Sequence, residues 1–168
     1  MRFPCRQPAF SLVELIVVVA IVAILAGVAI PRFDSGSTRH RADAAARRVV
    51  SDLVLARRHA NHVSTAQTVT FDPAADSYQL SGLPDLDRPS IDYVVHLADE
   101  PYGATLISAD FNGSSSVNFN GFGQATGMAS TTGTVVIQIG DQQRTIILDP
   151  DTGELTISEL LVVHIDPI

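Results

Sequence analysis

The chain has 168 residues, with 18 acidic side chains against 11 basic ones and a formal net charge of −7. That length accommodates one membrane segment and one modest domain. The acidic balance disfavours nucleic acid as a main partner, because phosphate binding needs concentrated positive charge. Every Lys/Arg-type basic side chain is Arg, and the single cysteine, Cys5, precedes the first apolar run, so the chain beyond it is held without disulfides.

The first element is the run from Phe10 to Ile30, apolar throughout except for Ser11 and Glu14 and closed by Pro31 and Arg32. As a helix it would be about 31 Å long, the thickness of a hydrocarbon core. Glu14 is its one charge, and a carboxylate at bilayer depth costs roughly 2.5 to 3.5 kcal/mol near a helix centre and less near an end. A partner is available if the chain is cut after Ala9, which would expose a new α-amino group at Phe10. An ordinary signal anchor leaves Glu14 and the short polar leader unexplained. A secretory signal peptide would be cut after its apolar core, and Ala26-Gly-Val-Ala29 mimics such a site, but the run is long for that role.

Ala9-Phe-Ser-Leu-Val-Glu14-Leu15, continued by Ile16 to Leu25, resembles the type IV prepilin signal. The resemblance implies a membrane peptidase that cuts between Ala9 and Phe10 and methylates the new amine of Phe10. Glu14 then falls at the fifth mature position, and Pro31 where many pilin-like proteins kink the helix. Ala9 stands where the family prefers Gly. Removal of the leader takes Arg2 and Arg6 and leaves 9 basic against 18 acidic side chains, a formal −9. Arginines flank the run on both sides, Arg2 and Arg6 before it and Arg32, Arg39 and Arg41 after, so the positive-inside count does not orient it. The resemblance does: leader in the cytoplasm, single pass through the bacterial inner membrane, C-terminal domain in the periplasm.

From Thr38 to about Asn61 the pattern becomes amphipathic. Ala42, Ala46, Val49, Leu53, Ala56 and Ala60 recur at spacings of three and four along one helical face. Pro31 removes one backbone donor and is expected to kink the helix, although Asp34-Ser-Gly-Ser37 is an alternative break. Arg39, Arg41, Arg47, Arg48, Arg57 and Arg58 fall mostly off the stripe, with Asp43 and Asp52 between them. The commoner reading is a solvated face with local Asp partners. A phosphate-binding face and salt bridges to neighbouring subunits are the other two.

After Asn61 short strand signals alternate with turns. Thr68–Phe71 and Ser77–Leu80 flank Asp72-Pro-Ala-Ala-Asp76 as a hairpin, and Ile91–Leu97 and Ala104–Ile107 are further candidates. Ser116–Phe119 leads into a turn at Asn120–Gly123. Thr134–Ile139 and Gln143–Leu148 read as a hairpin about Gly140-Asp141, and Asp149–Gly153 turns into Glu154–Ile157. The expected fold is α+β: a long N-terminal helix, half transmembrane and half amphipathic, packed on a small antiparallel β-sheet or sandwich. The boundaries are a leader at 1–9, a transmembrane helix at 10–30, its amphipathic continuation at 31–62 and a β-rich domain at 63–168. The Phe119-Asn-Gly-Phe-Gly turn, the Val135–Leu148 hairpin and Asp151-Thr-Gly-Glu-Leu155 resemble the minor pseudopilin H group of type II secretion and the related FimT-like minor pilins.

Little in the chain points to site chemistry of another kind. Asp149-Pro-Asp151-Thr-Gly-Glu154 opens like a calcium loop, but the twelfth position is Leu160 where that loop needs Glu, so a β-turn is the better reading and calcium the minority one. His59 and His62 lie three apart on the helix without a third ligand, which suits surface histidines. No nucleophile elbow, P-loop or zinc-protease motif occurs, so neither an enzyme nor a cofactor is expected. The family implies a structural minor pseudopilin in a type II secretion pseudopilus. Its partners would be other pseudopilins or pilins, the prepilin peptidase and methyltransferase, the inner-membrane secretion platform and membrane lipid. The alternatives are a minor pilin of a type IV pilus, in assembly priming or DNA uptake, and a singly anchored β-domain that never assembles.

Overall fold

The computed structural model of the chain describes residues 11–84, 91–128 and 131–161, the side chains of 26–35 and 159–161 excepted. It divides into two compact units, Met1–Ser37 and Thr38–Ile168. One helix, α1 (Leu12–Val63), is continuous through the sequence of both, so the break considered at residues 34–37 does not occur.

Nine strands follow: β1 (Gln67–Asp72), β2 (Ser77–Pro84), β3 (Asp92–His96), β4 (Thr105–Asp110), β5 (Ser116–Phe119), β6 (Ala125–Thr126), β7 (Gly133–Ile139), β8 (Gln142–Leu148) and β9 (Leu155–Leu161). They form two antiparallel sheets, one of order β3-β2-β1-β5-β6 and one of order β4-β7-β8-β9. The chain leaves the first sheet after β3, opens the second with β4, returns for β5 and β6, and finishes in the second. The expected hairpins are present, with Asp72 opposite Ser77 and Ile139 opposite Gln142. The α+β reading, a helix on antiparallel sheets, is the fold observed. Strand β6 has no counterpart among the expected strands, and β4 and β9 run beyond the expected Ile107 and Ile157; a two-residue strand has no period to detect.

Within Thr38–Ile168 the core lies between α1 and the sheets. The predicted stripe is fully inside: Ala42, Ala46, Val49, Leu53, Ala56 and Ala60 are all buried. Four of the six are alanines, which lets strand residues come close to the helix axis. Strand β7 alternates as a half-buried strand should, with Val135, Ile137 and Ile139 inside. The ring of Phe71 packs against Tyr78 and Phe111 at centroid distances of 5.4 and 5.7 Å.

Candidate functional site

In the first unit the helix begins at a cap. The Ser11 hydroxyl accepts the Val13 N–H at 3.3 Å, and its carbonyl accepts the Leu15 N–H at 3.2 Å. Glu14 is therefore at the third helical position, where a Ser-x-x-Glu spacing places a carboxylate beside the positive end of the helix dipole. That Ser-x-x-Glu spacing is legible in the sequence. Every large apolar side chain from Leu12 to Leu25 is between 50 and 73% exposed. Among the described residues no helix is long and apolar enough to cross a membrane. Ala9 and Phe10, the expected cleavage and methylation positions, lie outside the described residues, as does the leader. Pro31 is within α1, and its side chain is not among those described.

In the second unit two arginines of α1, Arg41 and Arg57, bond to loop carbonyls, while Arg39, Arg41, Arg47 and Arg58 remain exposed, as the solvated-face reading expects. Arg41 Nε donates to the carbonyls of Pro101 and Tyr102 at 3.3 and 3.0 Å, and Arg57 Nη1 donates to the Gly153 carbonyl at 2.8 Å. Asp43 accepts from Arg144 Nε on β8 at 2.7 Å. The local-partner reading holds for Arg48, which donates to Asp52 at 2.9 Å.

Asp52 is the residue the pattern reading most misplaces. It is 5% exposed and accepts from Tyr78 Oη at 2.5 Å and Tyr93 Oη at 3.0 Å as well as from Arg48. Burial first, and then the Asp52 charge, raise the ionisation of Tyr78 and Tyr93 above the ordinary value of 10. The cluster pins α1 to β2 and β3. Its signal is present in the sequence, since Asp52 lies three residues past Val49 and four before Ala56, on the stripe itself.

The two turns that carried the C-terminal resemblance meet at Arg57. Gly123 (φ +74°) and Gly153 (φ +66°) stand on either side of it. A Cβ on the first would meet Arg57 Cγ at 3.4 Å, and one on the second would meet Nη1 at 2.9 Å. Both turns are braced from within. Asn120 Oδ1 accepts the N–H groups of Phe122 and Gln124, each at 3.0 Å. Asp149 Oδ1 accepts those of Asp151 and Thr152 at 2.9 and 2.8 Å. Hydrogen bonding from Thr152, backbone first, and from the Asp151 amide holds the Asp149 carboxyl below its ordinary 3.8. The Asp149 carboxylate thus works as a turn brace. Among the described residues no group of three His, Cys, Asp or Glu is placed to hold a metal ion.

Residues 45–152 match the family model described as Type II transport protein GspH, well over half the chain. The chain belongs to the GspH family. Residues 5–30 match the prokaryotic N-terminal methylation motif, so the GspH-type domain is joined to a pilin-like N-terminus. Among solved structures, the type IV minor pilin FimU of Pseudomonas aeruginosa superposes with a TM-score of 0.51 at 16% identity, over 71% of this chain and 90% of that one. A second crystal form of FimU gives 0.47 at 15% identity, over 69 and 91%. At that identity the first likeness establishes the shared fold. None of the curated proteins matches the chain significantly. The family and the motif together make it a pilin-like subunit of the GspH type.

Proposed function

We propose that the chain is a structural minor pseudopilin of a type II secretion system, cut after Ala9, methylated at Phe10 and anchored in the inner membrane by residues 10–30. The match of residues 45–152 to the GspH family carries this reading. The methylation motif and the uncovered apolar side chains of Leu12–Leu25 support it, because such a surface calls for lipid or for other helices. The function assigned is assembly rather than catalysis. In a filament the Glu14 carboxylate would take the methylated α-amine of a neighbouring Phe10 as its partner, since methylation keeps the positive charge. That ion pair would set axial register where water is scarce, and Pro31 would let the helix bend between lipid and domain.

Intact mass and N-terminal sequencing of protein recovered from membranes, with and without the prepilin peptidase, test the maturation. A product beginning at methylated Phe10 only when the peptidase is present is expected, and an uncut chain in both cases would remove the role given to Glu14. Glu14→Ala is expected to insert and fold yet co-purify poorly with other pilin-like subunits. Recovery at the wild-type level would sink the register role. The FimU likeness keeps one alternative in view, a minor pilin of a type IV pilus. Deleting the gene separates the two: loss of exported protein marks the secretion system, loss of surface pili the other.

A further inference from the structure

The two braced turns flank an open groove of about 480 Å³. Arg57 forms part of its lining. One wall is Phe122 to Thr126 and the other is Pro150 to Gly153. Phe122 is 82% exposed, the most exposed large apolar side chain among those described, and it sits on a turn fixed by Asn120. A mobile loop can expose an aromatic ring at little cost, whereas a rigid one keeps it permanently in water.

The first wall is also a free strand edge. β6 is the terminal strand of its sheet. The Asn120 N–H donates to the Gln124 carbonyl at 3.0 Å, and the register then pairs Phe119 with Ala125 and Asn118 with Thr126. Hydrogen-bonded and non-hydrogen-bonded pairs alternate along an antiparallel ladder. Ala125 therefore belongs to a non-hydrogen-bonded pair, and its N–H and C=O point away from β5. One donor and one acceptor, spaced for an extended chain, face outward beside the groove. Arg57 has spent one N–H on Gly153, and its Nε and Nη2 make no hydrogen bond among the described residues.

We infer that this groove receives an extended, strand-forming peptide segment of a neighbouring pilin-like subunit. The segment adds to the β6 edge through Ala125, lays an apolar or aromatic side chain on Phe122 and presents a carboxylate to Arg57. The exposed Asp151 carboxylate on the facing wall accepts N–H donors of the same segment and disfavours a second acid. The inference rests on the reading that the chain assembles with other subunits. It explains why the residues shared with the H-group pattern lie in two turns far apart in sequence: together they build the two walls and hold Arg57 between them.

The test uses the full chain in its host membranes, with the photocrosslinking residue benzoylphenylalanine placed at position 122 and, in a separate strain, at Val17 in the apolar stretch. Illumination at position 122 is expected to give an adduct with another pilin-like subunit, mapped by mass spectrometry to a strand-forming segment that contains an acidic residue. Ala125→Pro removes the outward N–H and leaves the β5–β6 ladder intact, as proline on a sheet edge does. It should lower the position-122 adduct about tenfold, the effect of losing an interface anchor, while leaving the Val17 adduct unchanged. Arg57→Gln should act in the same direction. An adduct from Val17 with none from position 122 overturns the groove alone. Adducts on lipid or glycan only, or a peptide adduct indifferent to Ala125→Pro, overturn the groove in the same way. Absence of adducts from both positions overturns the groove and the assembly reading together.

Discussion

Two stretches of one helix are treated in opposite ways by the rest of the chain. From Leu12 to Leu25 every large apolar side chain is half exposed or more, whereas from Ala42 to Ala60 the apolar stripe is buried almost completely. Both are helical and both are apolar on the face in question. The difference is that the second has β-sheets to cover it and polar anchors to fix it, whereas the first is exposed among the described residues. Hydrophobicity alone does not say where a helix is used. The distribution of partners does.

The largest contrast should come from truncating one apolar residue in each stretch. Leu53→Ala empties a fully buried position and should cost about 2 to 5 kcal/mol of domain stability. Val18→Ala, at 52% exposure, should change the melting of the detergent-solubilised chain by no more than about 0.5 kcal/mol. Circular dichroism melts of the two variants decide the matter. Equal destabilisation would mean that the exposed stretch is covered after all.

Next comes the polar anchor that separates the stretches. Asp52→Ala leaves Tyr78 Oη and Tyr93 Oη without their acceptor, while Arg48 keeps its bond to Tyr93 Oη. It should cost about 2 to 3 kcal/mol, discounted because the Arg48 side chain is 39% exposed. Glu14→Ala should leave the same melting transition in place. The cluster also sets an alkaline limit. The ionisation of Tyr78 is raised by burial and by Asp52, and that of Tyr93 likewise, so the folded state keeps protons that the unfolded chain releases. Their contribution is complete below about pH 10 and is lost as pH rises beyond it through the folded values. Melting midpoints from pH 8 to 11 should fall at the alkaline end, and Tyr78→Phe should make the fall shallower. A slope unchanged by that substitution would place the titration elsewhere.

The same contrast separates what is legible in the sequence from what is not. The stripe, the long hairpins and the turn at Asp149 obey local periods or local turn chemistry, and they appear where those rules place them. Asp52 breaks the pattern because its value depends on Tyr78 and Tyr93, which are 26 and 41 residues away. Arg57 likewise reads as a surface charge until two distant turns are folded around it. The Ser11 cap is readable and is masked by the stronger membrane signal. Polar residues on an apolar stripe, and glycines in turns of separate strands, are thus the places where a pattern reading has to wait for the third dimension.

The smallest expected effect lies in the Asp149 turn, which sharpens the comparison because it is exposed and yet ordered. Its carboxylate is held below the ordinary 3.8 by Thr152, backbone bond first, and by the Asp151 amide. A depressed carboxyl contributes its stability above the unfolded value and loses it as pH falls through the folded one, so the turn should loosen only below about pH 4. Hydrogen exchange at the Asp151 and Thr152 amides, corrected for intrinsic rates, should show protection at neutral pH that fades in acid. In Asp149→Ala that protection should already be missing at neutral pH. The Gly153 amide bonds to the Asp149 main-chain carbonyl at 2.9 Å and should stay protected in both. If Asp151 and Thr152 remain protected in the variant, main-chain bonding suffices to order the turn. The side chain would then be open to other partners, a cation included, and its role as the brace of the turn would fall.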